Sequence, residues 1–224
     1  MTGRTFVITG TDTGVGKTVL TCLLAGHLRR AGLPVAALKP FCSGGREDAR
    51  ALQAALGGAL TLDEVNPWHF RAPLAPARAA RMEHRPIQLS RVLQAVRRVQ
   101  RRFPFVLVEG AGGLLSPLGE DFTARDLIVA LRATPLVVGP NRLGAINQVL
   151  LVVHALPDGA SRRARIVLMA PPEPDASSRS NVEMLGEALG PERVHALPWL
   201  DQAQRRGDAP VTARARRTLQ ALVE

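Results

Sequence analysis

At 224 residues the length fits one domain, large enough to bury a continuous core. Hydrophobic residues make up 46% of it and aromatics only 4%, so Ala, Leu and Val must carry the packing, yet runs such as Val149–Val153 are far too short to cross a bilayer. The net charge of +10 invites a nucleic-acid reading, but the arginine runs at 97–102, 162–165 and 214–217 carry no interleaved aromatic side chains for base stacking; solvated helix faces are expected, and neither nucleic acid nor membrane is an expected partner.

From Met1 to Arg4 the chain runs straight into an apolar strand, without the apolar h-region and cleavage site of a secretory leader. Apolar strand-type runs then alternate with helical patterns. The strands are expected at Thr5–Thr9, Val35–Leu38, Phe105–Val108, Pro135–Val138, Arg165–Met169 and Arg193–Ala196. The helices are expected at Lys17–Arg30, Asp48–Leu56, Leu89–Arg102, Thr123–Arg132, Ala145–Leu156, Ser178–Leu189 and Val211–Val223. This alternation predicts an α/β fold: a parallel sheet covered by helices on both faces, as one domain spanning residues 1–224. The Pro-, Ala- and Arg-rich stretch Asn66–Arg85 reads as an irregular excursion. Cys22 and Cys42 suggest neither a disulfide framework nor a metal cluster, and both are expected as small buried or half-buried hydrophobes in a reducing cytoplasm.

Of the 29 basic residues only two are lysine, Lys17 and Lys39, so an arginine-using chain has kept a compact ammonium at two places. Lys17 closes the run Gly10-Thr11-Asp12-Thr13-Gly14-Val15-Gly16-Lys17-Thr18 between the first strand and the first helix. Such a loop turns successive backbone N–H groups around phosphate oxygens, sends the lysine to the β- and γ-phosphates and the Thr hydroxyl to Mg²⁺. Thr11 occupies the first glycine position of the strict P-loop pattern. Lys39 ends the second strand, so both lysines fall where phosphate chemistry would occur. A magnesium site needs carboxylates at neighbouring strand ends. Glu109 ends the Phe105–Val108 strand and precedes Gly110-Ala111-Gly112-Gly113; an arginine partner is its bland alternative. Asp48 is a second candidate, a residue type that alone serves as a helix N-cap more often than as a ligand.

Taken together, the segments Thr9–Thr13 with Gly16-Lys17-Thr18, Lys39-Pro40 with Ser43-Gly44, Asp48-Ala49, Asn66-Pro67, Val108–Gly113 with Pro117-Leu118, Leu143–Asn147 and Leu197–Leu200 resemble the dethiobiotin synthetase family, in its order and over about residues 5–200. The resemblance implies a magnesium-dependent ligase of biotin biosynthesis that closes the ureido ring of dethiobiotin from 7,8-diaminononanoate, CO₂ and ATP through a carbamate and a carbamic–phosphoric anhydride. It implies that Lys17 and Lys39 neutralise the transferring phosphate and the carbamate, and that Thr18, Asp48 and Glu109 hold Mg²⁺. Gly14, Val15, Gly16 and Val19 would line ATP on one side and Gly110, Ala111 and Gly112 on the other, with Pro198, Trp199 and Leu200 near the base. Ser43, Thr13 and Asp12 would face the diamine. It further implies a cytoplasmic homodimer in which Leu143–Asn147 completes the partner's site. This sequence departs from the family pattern at Pro171, where an adenine-reading asparagine is usual, at Arg142 in place of a lysine and at Ala77 in place of a histidine. A related amidoligase with another substrate and a regulatory nucleotide-switch ATPase are the alternatives; the extra early lysine of the deviant switch type is absent from Thr11, Asp12 and Thr13.

Overall fold

The computed structural model describes residues 4–206 and 209–224. Among these residues the strands run, in chain order, β1 (Arg4–Gly10), β2 (Val35–Leu38), β3 (Phe41–Ser43), β4 (Trp68–Phe70), β5 (Phe105–Glu109), β6 (Thr134–Pro140), β7 (Arg165–Met169) and β8 (Val194–Leu197). Six of them pair in parallel as one sheet, in the order β2-β5-β1-β6-β7-β8. Their centres (Val7-Ile8, Leu107-Val108, Val137-Val138, Ile166–Leu168) are fully buried. Continuous apolar runs, rather than alternation, are what a parallel sheet covered on both faces requires.

The long helices are α1 (Lys17–Arg30), α2 (Glu47–Ala55), α5 (Leu89–Gln100), α6 (Ala124–Leu131), α7 (Ala145–Ala155), α9 (Ala176–Leu189) and α11 (Ala213–Ala221); α3 (Leu62–Val65), α4 (Pro76–Met82), α8 (Asp158–Arg163) and α10 (Gln202–Arg206) are short. Helix α1 packs with α2, α10 and α11, whereas α5 packs with α6 and α7 with α9. After β1 the chain visits β2 and β5 on one side, then crosses to β6, β7 and β8 on the other. The loops leaving the strand C-termini beside β1 therefore sit at a topological switch point, where α/β folds bind ligands.

All six strands expected from sequence form this sheet, and α1 has the expected bounds. The stretch 66–85 differs from its expectation. Strand β4 pairs in parallel with β3 as a separate two-stranded sheet, on which Phe41 stacks on Trp68 with ring centroids 5.9 Å apart, and Pro76 opens α4. Three-residue strands are too short to show a period. Proline there is a helix starter, because its missing N–H would have been unpaired in the first turn anyway. Helix α9 begins two residues earlier than expected because Asp175 caps it, its carboxylate accepting the Ser178 N–H at 2.7 Å.

Candidate active site

Strand β1 delivers the glycine-rich loop to the N-terminus of α1. Gly16 caps that helix at φ 98°, a left-handed conformation, and the Met169 side chain lies 3.0 Å from where a Cβ would stand, so glycine is required twice over. Lys17 follows and is only 6% exposed. Its ammonium donates to the Asp12 backbone carbonyl at 2.7 Å, and among the described residues no carboxylate pairs with it. Burial, with the Lys39 charge adding to it, lowers the Lys17 pKa to about 8. A buried ammonium whose only partner is a neutral carbonyl sits in a place made for an anion.

Beside it, Thr18 at the start of α1 and Lys39 just after β2 converge on a single carboxylate. Glu109, at the end of β5, is wholly buried, and its Oε1 accepts from the Thr18 hydroxyl at 2.7 Å and from the Lys39 ammonium at 2.6 Å. Lys39 also donates to the Gly110 carbonyl and pairs with Asp48 Oδ2 on α2, each at 3.2 Å. Burial alone would pull the Lys39 ammonium down; Glu109 and then Asp48 outweigh it and hold the group well above the ordinary lysine range. Lys39 is thus a fixed cation and Lys17 a softer one.

The oxygens on hand fit magnesium. Glu109 Oε2 is buried with no hydrogen-bond partner, Thr18 supplies a hydroxyl, and the Asp48 side chain is 52% exposed. Mg²⁺ keeps several waters and takes one or two carboxylates plus phosphate oxygens rather than an all-protein cage.

These groups floor a cavity of about 810 Å³. Thr13, Gly14, Gly16, Lys17, Thr18 and Val19 form one wall; Phe41, Cys42, Ser43 and Pro73–Pro76 form the other; Ala111, Gly112 and Ser116 close the end. Gly112 turns at φ 69°, and the Ser116 hydroxyl accepts the Gly113 N–H at 2.9 Å, fixing that loop. Ser43 Oγ is buried there without a hydrogen-bond partner. Gly110 lies behind the wall, donating its N–H to the Ile8 carbonyl, and Val15 belongs to the core. Asp12 is exposed, its carboxylate turned to the Thr13 N–H at 2.6 Å. Pro198, Trp199 and Leu200 are not part of this cavity. Leu200 is 2% exposed and packs in the core, while Trp199 carries the Arg205 guanidinium 3.8 Å over its ring.

Met169, at the end of β7, packs against Gly16 and leads into the loop that precedes Pro171. There the Ala170 N–H is already given to the Leu197 carbonyl at 2.9 Å, and Pro171 has none to give. The apolar wall of Phe41 and Leu74–Pro76 escaped the sequence reading, because Leu74–Pro76 come from the stretch read as irregular and Phe41 from a strand too short to show a period. The Asn66-Pro67 pair was noted in the sequence, but not that the Asn66 amide bonds the Lys39 carbonyl.

A glycine loop after β1, a buried lysine at the start of α1 and a Thr18 hydroxyl bonded to the carboxylate that ends the neighbouring β5 define a P-loop nucleotide-binding α/β protein. A family model described as an AAA domain matches residues 4–206. Among solved structures, the MinD cell division protein of Aquifex aeolicus superposes with a TM-score of 0.63 over 98% of this chain and 96% of its own, at 17% identity, a likeness of fold alone. The ATP-dependent dethiobiotin synthetase of Anaeromyxobacter dehalogenans strain 2CP-C is 42% identical over 92% of this chain and 95% of its own length. Those of Akkermansia muciniphila and Bacillus licheniformis are 37% and 35% identical, each over 88% of this chain and over 95% and 87% of their own. The chain belongs to the ATP-dependent dethiobiotin synthetase family.

Proposed function

We propose that this protein is a magnesium- and ATP-dependent ligase of biotin biosynthesis that closes the ureido ring of dethiobiotin from 7,8-diaminononanoate and CO₂. The observation that carries the reading is the buried lysine pair, with Lys17 lacking a carboxylate partner and Lys39 locked onto Glu109, beside an apolar wall that suits an aliphatic chain. In the reaction a carbamate oxygen on one amine attacks the γ-phosphorus of ATP and ADP departs. The second amine then attacks the carbamoyl carbon, closing the ring and releasing phosphate.

Such a transfer asks the protein for positioning and charge stabilisation. Lys17 leaves the Asp12 carbonyl to meet the β- and γ-phosphates, while Lys39 stabilises charge between phosphate and carbamate. Backbone N–H groups of residues 14–19 cradle the phosphates, and the loop 109–112 covers them. Thr18, Asp48 and Glu109 would hold Mg²⁺, which supplies charge neutralisation to the phosphate oxygens when bound. The hydroxyls of Thr13 and Ser43, with Asp12, receive the diamine; Pro198 and Trp199 border the base.

In this reading residues 1–224 are one domain, and the protein works as a cytoplasmic homodimer. Leu143 is 84% exposed and Leu151, two turns along α7, is 63% exposed, an apolar pair suited to a second copy. The test is ADP release with and without 7,8-diaminononanoate and bicarbonate, with the product identified by mass. Release that depends on both substrates and yields dethiobiotin supports the reading. Release indifferent to the diamine overturns it in favour of a switch ATPase.

A further inference from the structure

Lys39 lies one residue past the last ladder pair of β2, Leu38 with Val108, so the sheet no longer holds its backbone. Two consecutive residues from a remote segment take over. The Lys39 N–H donates to the Val65 carbonyl at 2.9 Å, and the Lys39 carbonyl accepts from Asn66 Nδ2 at 2.8 Å. The same amide nitrogen lies 3.2 Å from the carbonyls of Pro40 and Trp68, bridging the starts of β3 and β4. Asn66 is 1% exposed.

Its other end is equally engaged. Asn66 Oδ1 accepts from Arg46 Nε at 3.0 Å. Arg46 Nη2 also donates to the Leu62 and Asn66 carbonyls, at 3.1 and 3.0 Å, and pairs with Asp63 at 2.8 Å. Arg46 is the residue that precedes α2, and Asp48 stands in the first turn of that helix. One buried side chain therefore fixes the backbone that carries Lys39 and, through Arg46, the helix start that carries Asp48. Those two groups meet at 3.2 Å in the cavity.

We infer that Asn66 and Arg46 form a positioning unit that sets the placement of Lys39 against Asp48 for the phosphoryl-transfer step. Neither residue touches the cavity; each acts through the backbone of a residue that does. The inference rests on the proposed ligase reading for its catalytic consequence and on the geometry alone for its structural one. A carbonyl released at Lys39 would let the ammonium swing on its own stem, and transfer reactions are sensitive to displacements of about 1 Å.

The test uses the full-length protein with Asn66→Asp and Arg46→Met. Asn66→Asp keeps the volume and the acceptor for Arg46 but removes every donor to the three carbonyls. We expect kcat to fall roughly 10- to 100-fold, with the KM for ATP changed by less than about threefold, because the phosphate loop is not attached to this unit. Arg46→Met should raise the Mg²⁺ concentration for half-maximal turnover by roughly tenfold, since it frees the start of α2. In ligand-free protein, amide hydrogen exchange should quicken across residues 39–48 and stay unchanged across residues 10–18. A kcat for Asn66→Asp within about twofold of wild type, or unchanged exchange at 39–48, overturns the inference. So does a KM for ATP that rises in step with the loss of kcat, which would mark general collapse. Should Asn66→Asp fail to fold, Asn66→Ser retains one donor and is read the same way; failure of both assigns Asn66 to folding and overturns the positioning role. Wild-type protein that makes no dethiobiotin overturns the proposed reaction instead, and the exchange comparison then decides the inference by itself.

Discussion

Lysine is used twice in this chain, and both copies are buried to 6% exposure in one cavity, where an arginine-rich surface cannot substitute for them. A guanidinium is wider than an ammonium and cannot bring a single point charge between Glu109 Oε1 and Asp48 Oδ2. Lys17→Arg and Lys39→Arg should each lower turnover by roughly 100-fold or more while the circular dichroism spectrum stays that of the wild type. Near-wild-type turnover in both would remove the phosphate-site assignment. The two carboxylates differ in what else they do. Glu109 is wholly buried against Lys39, so Glu109→Gln leaves a buried cation with only the half-exposed Asp48 to balance it. It should lower stability by up to about 3–5 kcal/mol as well as weaken the Mg²⁺ response. Asp48→Asn should weaken the Mg²⁺ response with a stability change within about 1 kcal/mol, because its side chain is half in water. Urea unfolding beside a Mg²⁺ titration separates the two cases, and equal stability losses would contradict the burial argument. Burial also pushes the thiols up, Cys22 to about 12 and Cys42 to about 11. At pH 8 iodoacetamide should therefore label the native protein slowly and both cysteines rapidly once urea is added; fast native labelling of Cys42 would show that the cavity wall opens.

At the scale of elements, the loop after β7 is proposed to border the nucleoside. Ala170 has spent its N–H on Leu197, and Pro171 has neither a backbone N–H nor a side-chain polar group. A site that forms no hydrogen-bond pair with a base leaves nothing unpaired when the base changes, so it cannot reject the wrong one that way. Turnover with GTP or CTP should approach that with ATP in steady-state kinetics at matched Mg²⁺. A preference for ATP above about a hundredfold would mean that other contacts, such as those near Pro198 and Trp199, specify adenine. The small β3–β4 sheet is the other deciding element. It carries Ser43 and Phe41 into the cavity wall, with Phe41 opposite Trp68 and Ser43 opposite Phe70 in its register.

On the scale of the whole molecule, the exposed pair Leu143 and Leu151 on and before α7 predicts self-association. Leu143→Asp with Leu151→Asp should convert a dimer to a monomer in sedimentation experiments, because a charge at the centre of an apolar interface is desolvated without a partner. Turnover should fall with dissociation, since residues 143–147 are proposed to complete the partner's site. A monomeric double variant with full turnover would show that each copy works alone. The sequence by itself determined the six strands of the main sheet, the bounds of α1, the phosphate loop and the two places where lysine replaces arginine. Each of those is written locally, in continuous apolar runs, in a helical period, in glycines ahead of a lysine, or in a lopsided choice of cation. Only the tertiary structure decided that Thr18 and Lys39 share one Glu109 oxygen with Asp48 on the same ammonium, that residues 66–85 supply a strand and a helix beside the cavity, and that Asn66 bonds the Lys39 carbonyl. Those contacts join residues 9 to 91 positions apart along the chain, most of them more than 25. Chain folding alone sets such distances, and neither periodicity nor local propensity records them.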